Sequence, residues 1–181
     1  MEKKNFITVN WSVEDCNPWT SEMEITRVSS SGFYCKVNDP RIRIDNEEKE
    51  VFIPISKSKY NDYFDITELR AHGIMAYIKY EDVEKVIKEN GWKIGEYDFH
   101  PVIIDESFDK KMTVKEAYYK SNVIGRIINK FPNDLDTAPV ANMTLAEANK
   151  IKYDTPEYWE AFNCDSAVRW MIGFLLKNMV K

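Results

Sequence analysis

The sequence predicts an α+β fold in which an N-terminal antiparallel meander of about five strands packs against three or four C-terminal helices. Three observations support this prediction. Apolar residues alternate in the first third, as at Ile7, Val9 and Trp11. Helix-start signals cluster in the last third, and the chain contains no internal repeat. Its 181 residues predict one domain, with a β-rich half at 1–56, a mixed segment at 57–112 and a helical half at 113–181.

The predicted strands of the first half lie at 5–11, 22–28, 33–37, 41–45 and 51–55, separated by polar turns. Pro54 places the last of them at a sheet edge, because proline lacks the amide that a central strand needs. The middle segment predicts one helical turn that Gly73 ends, a strand at 74–80 and a helix at 81–90. Gly91 suits the left-handed position that follows that helix. Short strands are predicted at 92–94 and 101–104.

The last third is predicted to be helical. Thr113 with Glu116, and Thr144 with Glu147, have the capping-box spacing that begins a helix. The first of these helices is expected to run until Pro132 stops it. A third helix is expected to start at 155–156 and to run to about residue 178. Its second half is apolar on nearly every side, so segment 170–176 is predicted to be core or a contact between two copies, which leaves a homodimer open.

Charge segregation is the strongest functional signal in the sequence. The net charge is −5, which argues against a general attraction to nucleic acid. Segments 94–109 and 154–168 contain acids and no Lys or Arg, whereas 110–130 is rich in bases. Acids interleaved with aromatic rings suit a basic protein surface. The predicted partner-binding residues are Glu96, Tyr97, Asp98, Phe99, Asp105, Glu106 and Asp109.

The composition limits the other function classes. Three cysteines, an odd number in no zinc-binding pattern, favour a reducing compartment. There is no signal-peptide core and no apolar stretch of membrane-spanning length, so a cytoplasmic location and no membrane contact are predicted. No glycine-rich phosphate loop is present. The main interpretation therefore assigns no catalytic residue, no metal and no cofactor.

Two alternatives remain open. Asp98, His100, Asp105 and Glu106 could act as ligands of Mg²⁺ or Mn²⁺ in a metal-dependent nuclease that acts on RNA or DNA. The predicted basic helix could instead contact nucleic acid directly, or as a secondary contact, because basic and aromatic residues alternate there. Its candidate residues are Lys111, Lys115, Arg126 and Lys130.

In whole-chain character the sequence resembles small inhibitors of bacterial immunity that mobile elements carry, particularly type II anti-CRISPR proteins. The likeness lies in the acidic-aromatic segments 96–99, 105–109 and 153–160, together with small size and a Lys-, Ile- and Asn-rich composition. It implies a non-enzymatic protein in the cytoplasm of a bacterial host that binds Cas9 or its guide-RNA complex and blocks DNA recognition. Such inhibitors often work as dimers.

Overall fold

The computed structural model describes residues 6–42, 44, 49–128 and 133–181. It divides into two compact units, Met1–Ile103 and Ile104–Lys181. The first contains antiparallel sheet and the second contains short helices, so the predicted α+β class is confirmed. The single domain of 181 residues stays a prediction. Each unit is described below by itself.

The first unit is built on a curled antiparallel sheet of six strands, in the order β4-β3-β2-β1-β6-β5. Neighbours in this order pair antiparallel throughout. Five of the predicted strands are confirmed in this sheet, four from the first half and the one at 74–80, and Pro54 lies in an edge strand as expected. The strands are β1 (Phe6–Val13), β2 (Trp19–Val28), β3 (Gly32–Val37), β4 (Lys49–Pro54), β5 (Tyr63–Asp65) and β6 (Ile74–Lys79).

The predicted strand at 41–45 is wrong where it can be compared. Arg41 lies in a turn, and the Ile42 amide donates to the Asp39 carbonyl at 2.9 Å. The Asp39 side chain also accepts from the Arg41 amide at 2.9 Å. This local turn uses the backbone groups that strand pairing would need. Arg43 and Asp45 lie outside the described residues.

One face of the sheet carries the core of the first unit. Ile7, Val9 and Trp11 are almost fully buried, and Val83 and Val86 of α1 (Tyr80–Glu89) join the same apolar cluster. Each such side chain contributes about 2 kcal/mol by leaving water. The helix predicted at 81–90 is therefore confirmed, and its apolar face is buried. Gly91 follows it with φ 67°, and Gly73 follows the 3-10 turn Thr67–His72 with φ 71°, both as expected.

A two-stranded sheet, β7 (Lys93–Tyr97) and β8 (His100–Ile104), follows α1. The predicted short strands at 92–94 and 101–104 are confirmed, and each is extended toward the other. The two strands consequently meet across a connection of two residues.

The second unit contains helices joined by short turns. Val114, Tyr118, Ile124, Leu145 and Ile172 are all fully buried in it. The capping boxes at Thr113 and Thr144 are both present, as the spacing predicts. The helices are α2 (Val114–Lys120), α3 (Asn122–Ile127), α4 (Leu145–Ala148), α5 (Pro156–Ala161) and α6 (Ser166–Asn178), with 3-10 turns at Asn133–Thr137 and Pro139–Asn142.

Two of the predicted long helices are broken. Ser121 adopts an extended conformation between α2 and α3, and its hydroxyl accepts from the Ile124 amide at 3.0 Å. The helix predicted for 155–178 stops after Ala161, and Asp165 starts α6 by accepting from the Ala167 amide at 2.8 Å. In both cases a side chain satisfies amides that a continuous helix would have paired internally. Pro132, the predicted stop, lies outside the described residues.

Of the helices in the described ranges, none combines the length and the apolar character needed to cross a membrane.

Candidate partner-binding site

The connection between β7 and β8 consists of Asp98 and Phe99 alone, with φ 49° and 63°. Two successive residues with positive φ are the pattern of a type I′ turn, whose twist matches that of the flanking strands. Asp98 lies in the turn and His100 begins β8, so these two candidate ligands do not belong to one strand.

Phe99 is an unusual residue for this turn. Positions with positive φ favour glycine, asparagine or aspartate, and the second position of this turn type is most often glycine. Asp98 fits that preference, whereas a phenylalanine in such a conformation costs about 1–3 kcal/mol. The Phe99 side chain is 90% exposed, so burial of the ring within the described chain does not offset this cost. The turn therefore displays an aromatic ring at the expense of stability.

The base of the hairpin is held in place within the first unit. The Ile103 amide donates to the Ser30 carbonyl at 2.9 Å, and the Ile103 side chain is fully buried. The Trp92 ring, just before β7, lies 6.5 Å from the Phe33 ring of β3. Because the base is anchored and the turn is short, the position of Phe99 is fixed relative to the six-stranded sheet.

Two carboxylates precede the displayed ring in the sequence. Glu96, Asp98 and His100 are exposed, and Tyr97 is half-buried. Within the described part of the chain, neither Glu96 nor Asp98 has a Lys or Arg nitrogen within 4.0 Å. Among the described residues, these two charges are therefore solvated and not paired with a base. We define Glu96–Phe99 as the hairpin tip.

The other predicted partner-binding acids belong to the second unit, where two of them have structural roles. Asp105 forms an ion pair with Arg126. Glu106 accepts from the Ser121 hydroxyl, from the Asn122 amide at 3.1 Å and from the Val123 amide at 2.8 Å, so it caps α3. Asp109 is exposed and accepts from the Lys111 amide at 2.8 Å. The carboxylates of Asp105 and Glu106 therefore stabilise their own unit.

The predicted basic helix is not one continuous helix. Lys111 precedes α2, Lys115 lies on α2 and Arg126 lies on α3, beyond the break at Ser121. The Lys115 amine is 3.6 Å from the Asp136 carboxylate, and Arg126 is paired with Asp105. Two of the proposed phosphate-binding charges are thus neutralised internally. Lys130 lies outside the described residues.

The four candidate ligands of the nuclease alternative are divided between the two units. Asp98 and His100 belong to the first unit, whereas Asp105 and Glu106 belong to the second and make the contacts given above. Across residues 6–42, 44, 49–128 and 133–181, no group of three or more His, Cys, Asp or Glu side chains has a geometry that could hold a metal ion.

A second cluster of aromatic rings lies on the second unit. Tyr158 stacks on Phe162 with ring centroids 4.4 Å apart and meets the edges of Tyr153 and Trp159 at 5.1 Å each. The Trp159 indole donates to Asp154 at 3.1 Å, and the Arg169 guanidinium lies 5.3 Å from the Trp159 ring centre. Burial raises the pKa of Tyr158. Because Trp159 contacts both Asp154 and Arg169, this cluster is bound into the local structure of α5 and α6.

Sequence reasoning identified the residues of the hairpin tip but missed their arrangement. The available signal was two short strand candidates, at 92–94 and 101–104, with Asp98 in the segment between them. Phe99 obscured it, because turns of this kind are recognised by the glycine that normally takes its place. No family model, no curated protein and no solved structure matches this chain.

Proposed function

We propose that this protein is a non-enzymatic inhibitor that binds a basic, nucleic-acid-binding surface of a bacterial defence complex of the Cas9 type and blocks DNA recognition. One observation carries the proposal. The exposed ring of Phe99 lies in a conformation that disfavours phenylalanine, directly after Asp98, which like Glu96 has no Lys or Arg partner among the described residues. A partner that covers the ring would provide the apolar burial that the described part of the chain does not give it.

Physical chemistry favours such a tip as a protein-binding element. Aromatic rings dominate binding energy when they enter a pocket in a partner. An element already fixed in shape loses little conformational entropy on binding. Glu96 and Asp98 add the charge that a basic surface attracts, which raises the association rate and selects against acidic surfaces.

The resemblance to type II anti-CRISPR proteins names the partner to test first. Cas9-type complexes hold their nucleic acids in a positively charged channel. Carboxylates presented beside a rigid ring could take the place of phosphates there. We place the protein in the bacterial cytoplasm, where its three free cysteines would stay reduced.

The decisive variant is Phe99→Gly, which removes the ring and gives the turn the residue it favours. We expect this variant to unfold at a temperature equal to or above that of the wild type. Its half-inhibitory concentration in plasmid cleavage by guide-loaded Cas9 should rise at least about 30-fold, as for loss of a central aromatic contact. Tyr60→Ala is the matched control, since Tyr60 is also almost fully exposed but lies elsewhere.

Charge is tested separately with Asp98→Asn, because asparagine tolerates the left-handed conformation. Binding to the guide-loaded complex should weaken about 10-fold and become less sensitive to salt. If the wild type neither binds nor inhibits the loaded complex, the proposed partner is wrong. If Phe99→Gly inhibits as well as the wild type, the assignment of the hairpin tip is wrong.

A further inference from the structure

The outward face of α6 combines two features that are unfavourable in an isolated chain. Trp170 is 70% exposed. Gly173, one turn further on, is also exposed and lies in the interior of the helix. A glycine there destabilises a helix by about 0.5–1 kcal/mol relative to alanine. Neither feature is explained by packing within the described chain.

The Gly173 position offers space outside the chain. A Cβ atom added there would have no neighbour within 4 Å beyond its own helix, and the backbone conformation does not require glycine. Glycine in such a place allows another backbone or a large ring to approach the helix closely. We call the projecting Trp170 side chain the knob and the open space at Gly173 the notch. The two lie about 4.5 Å apart along the helix axis.

We infer that α6 pairs with α6 of a second copy of this chain, antiparallel and across a two-fold axis that passes between residues 171 and 172. In a two-fold interface the same patch serves both partners, so residue i faces j and j faces i. Trp170 of each copy then lies over Gly173 of the other. The knob and the notch are complementary to each other only in this antiparallel arrangement.

Charge supports the same register. Ser166, Trp170, Gly173 and Lys177 are spaced by four, three and four residues, so they lie along one exposed face of the helix. With the axis between 171 and 172, Lys177 of one copy faces Ser166 and the start of α6 in the other. Asp165 caps that start. A lysine opposite an aspartate favours this pairing, whereas a parallel arrangement would place the two lysines together.

The test is the self-association of the full-length protein, measured by sedimentation equilibrium and by light scattering during gel filtration. We expect a concentration-dependent dimer. Trp170→Ala should raise the dimer dissociation constant at least about 100-fold, because each dimer loses two such contacts. Tyr153→Ala is the matched control, since Tyr153 is a similarly exposed ring on the same unit and should leave the constant unchanged.

The variant Gly173→Leu tests dimer formation without weakening the fold of the monomer. It fills the notch and replaces glycine with a better helix former, so the monomer should become slightly more stable while the dimer weakens at least about 100-fold. A wild-type protein that stays monomeric at about 1 mM overturns the inference and leaves this face to another protein. A wild-type dimer that Gly173→Leu leaves intact overturns it as well, because the copies then meet elsewhere.

Discussion

The carboxylate of Asp39 accepts a hydrogen bond of 2.9 Å from the indole nitrogen of Trp19. Trp19 in turn stacks against the buried ring of Trp11, with centroids 6.2 Å apart. Asp39 is itself buried. Its carboxylate thus joins the turn after β3 to the core of the sheet.

This contact predicts a pH-dependent stability. Burial alone would raise the pKa of Asp39. Two hydrogen bonds, from Trp19 and from the Arg41 amide, act together with the positive charge of Arg41 to outweigh this effect. They lower the pKa below its ordinary value of 3.8. The stabilisation is therefore present above pH 3.8 and is lost as pH falls through the lower folded value. At pH 7, Asp39→Asn should reduce the free energy of unfolding by about 2 kcal/mol.

Urea denaturation at several pH values measures this difference. The gap between wild type and Asp39→Asn should close as the pH drops below 3.8. Asp62→Asn is the control, because the Asp62 side chain is fully in solvent. A gap that stays constant down to acidic pH would contradict the prediction.

Glu106 is expected to matter for stability rather than for binding. It accepts from the Ser121 hydroxyl and from two amides at the start of α3. Glu106→Ala should lower the free energy of unfolding by about 1–2 kcal/mol, as for loss of a helix cap. Thermal unfolding measures the loss, with Glu160→Ala as an exposed control. Partner binding well below the unfolding temperature should be unchanged. A binding defect without a loss of stability would contradict this prediction and assign Glu106 to the partner-binding residues.

Gly32 is predicted to tolerate no side chain. A Cβ atom there would lie 2.2 Å from the Ile53 carbonyl oxygen and 2.7 Å from the Phe52 ring. Gly32→Ala must separate β3 from β4, so a loss of about 3 kcal/mol in unfolding free energy is expected. Gly91→Ala is the comparison, since only its positive φ is strained and about 1–2 kcal/mol should be lost. Equal losses in the two variants would show that the close approach does not limit position 32.

The cysteines are expected to differ in reactivity. Cys16 is exposed, whereas burial, with a contribution from Glu50, raises the pKa of the Cys35 thiol to about 12. Because the thiolate is the reactive form, iodoacetamide at mildly alkaline pH should modify Cys16 in the native protein and Cys35 only after unfolding. Peptide mass spectrometry distinguishes the two sites. Rapid native modification of Cys35 would be inconsistent with its placement in the core.

The parts of the fold that local sequence determines were predictable. Alternation placed Ile7, Val9 and Trp11 on one face, and the spacing of Thr113 to Glu116 marked the start of α2. The break at Ser121 was not predictable, because Glu106, which caps α3, lies fifteen residues away in sequence. No proline or glycine marks that position. Nonlocal partners of this kind leave no periodic signal.

The candidate site was also predictable only in part from the sequence. Composition identified Glu96–Phe99 as an acidic and aromatic segment, but it could not separate these residues from Asp105 and Glu106. The difference arises because Arg126 and the amides at the start of α3 neutralise the latter two carboxylates. The backbone conformation of Phe99 was likewise out of reach, since it contradicts the preference of its own residue type.

The two-residue connection between β7 and β8 has a practical consequence for inhibitor design. The turn that carries the Phe99 ring and its two strands lie within one contiguous stretch of chain, residues 93–104, although Ser30, Phe33 and Trp92 anchor the base of the hairpin from outside it. A synthetic macrocycle that closes this stretch would reproduce the display without the rest of the protein, and D-residues at the two turn positions would suit their left-handed backbone. Such a peptide would compete with the full protein for the pocket that we propose receives the ring.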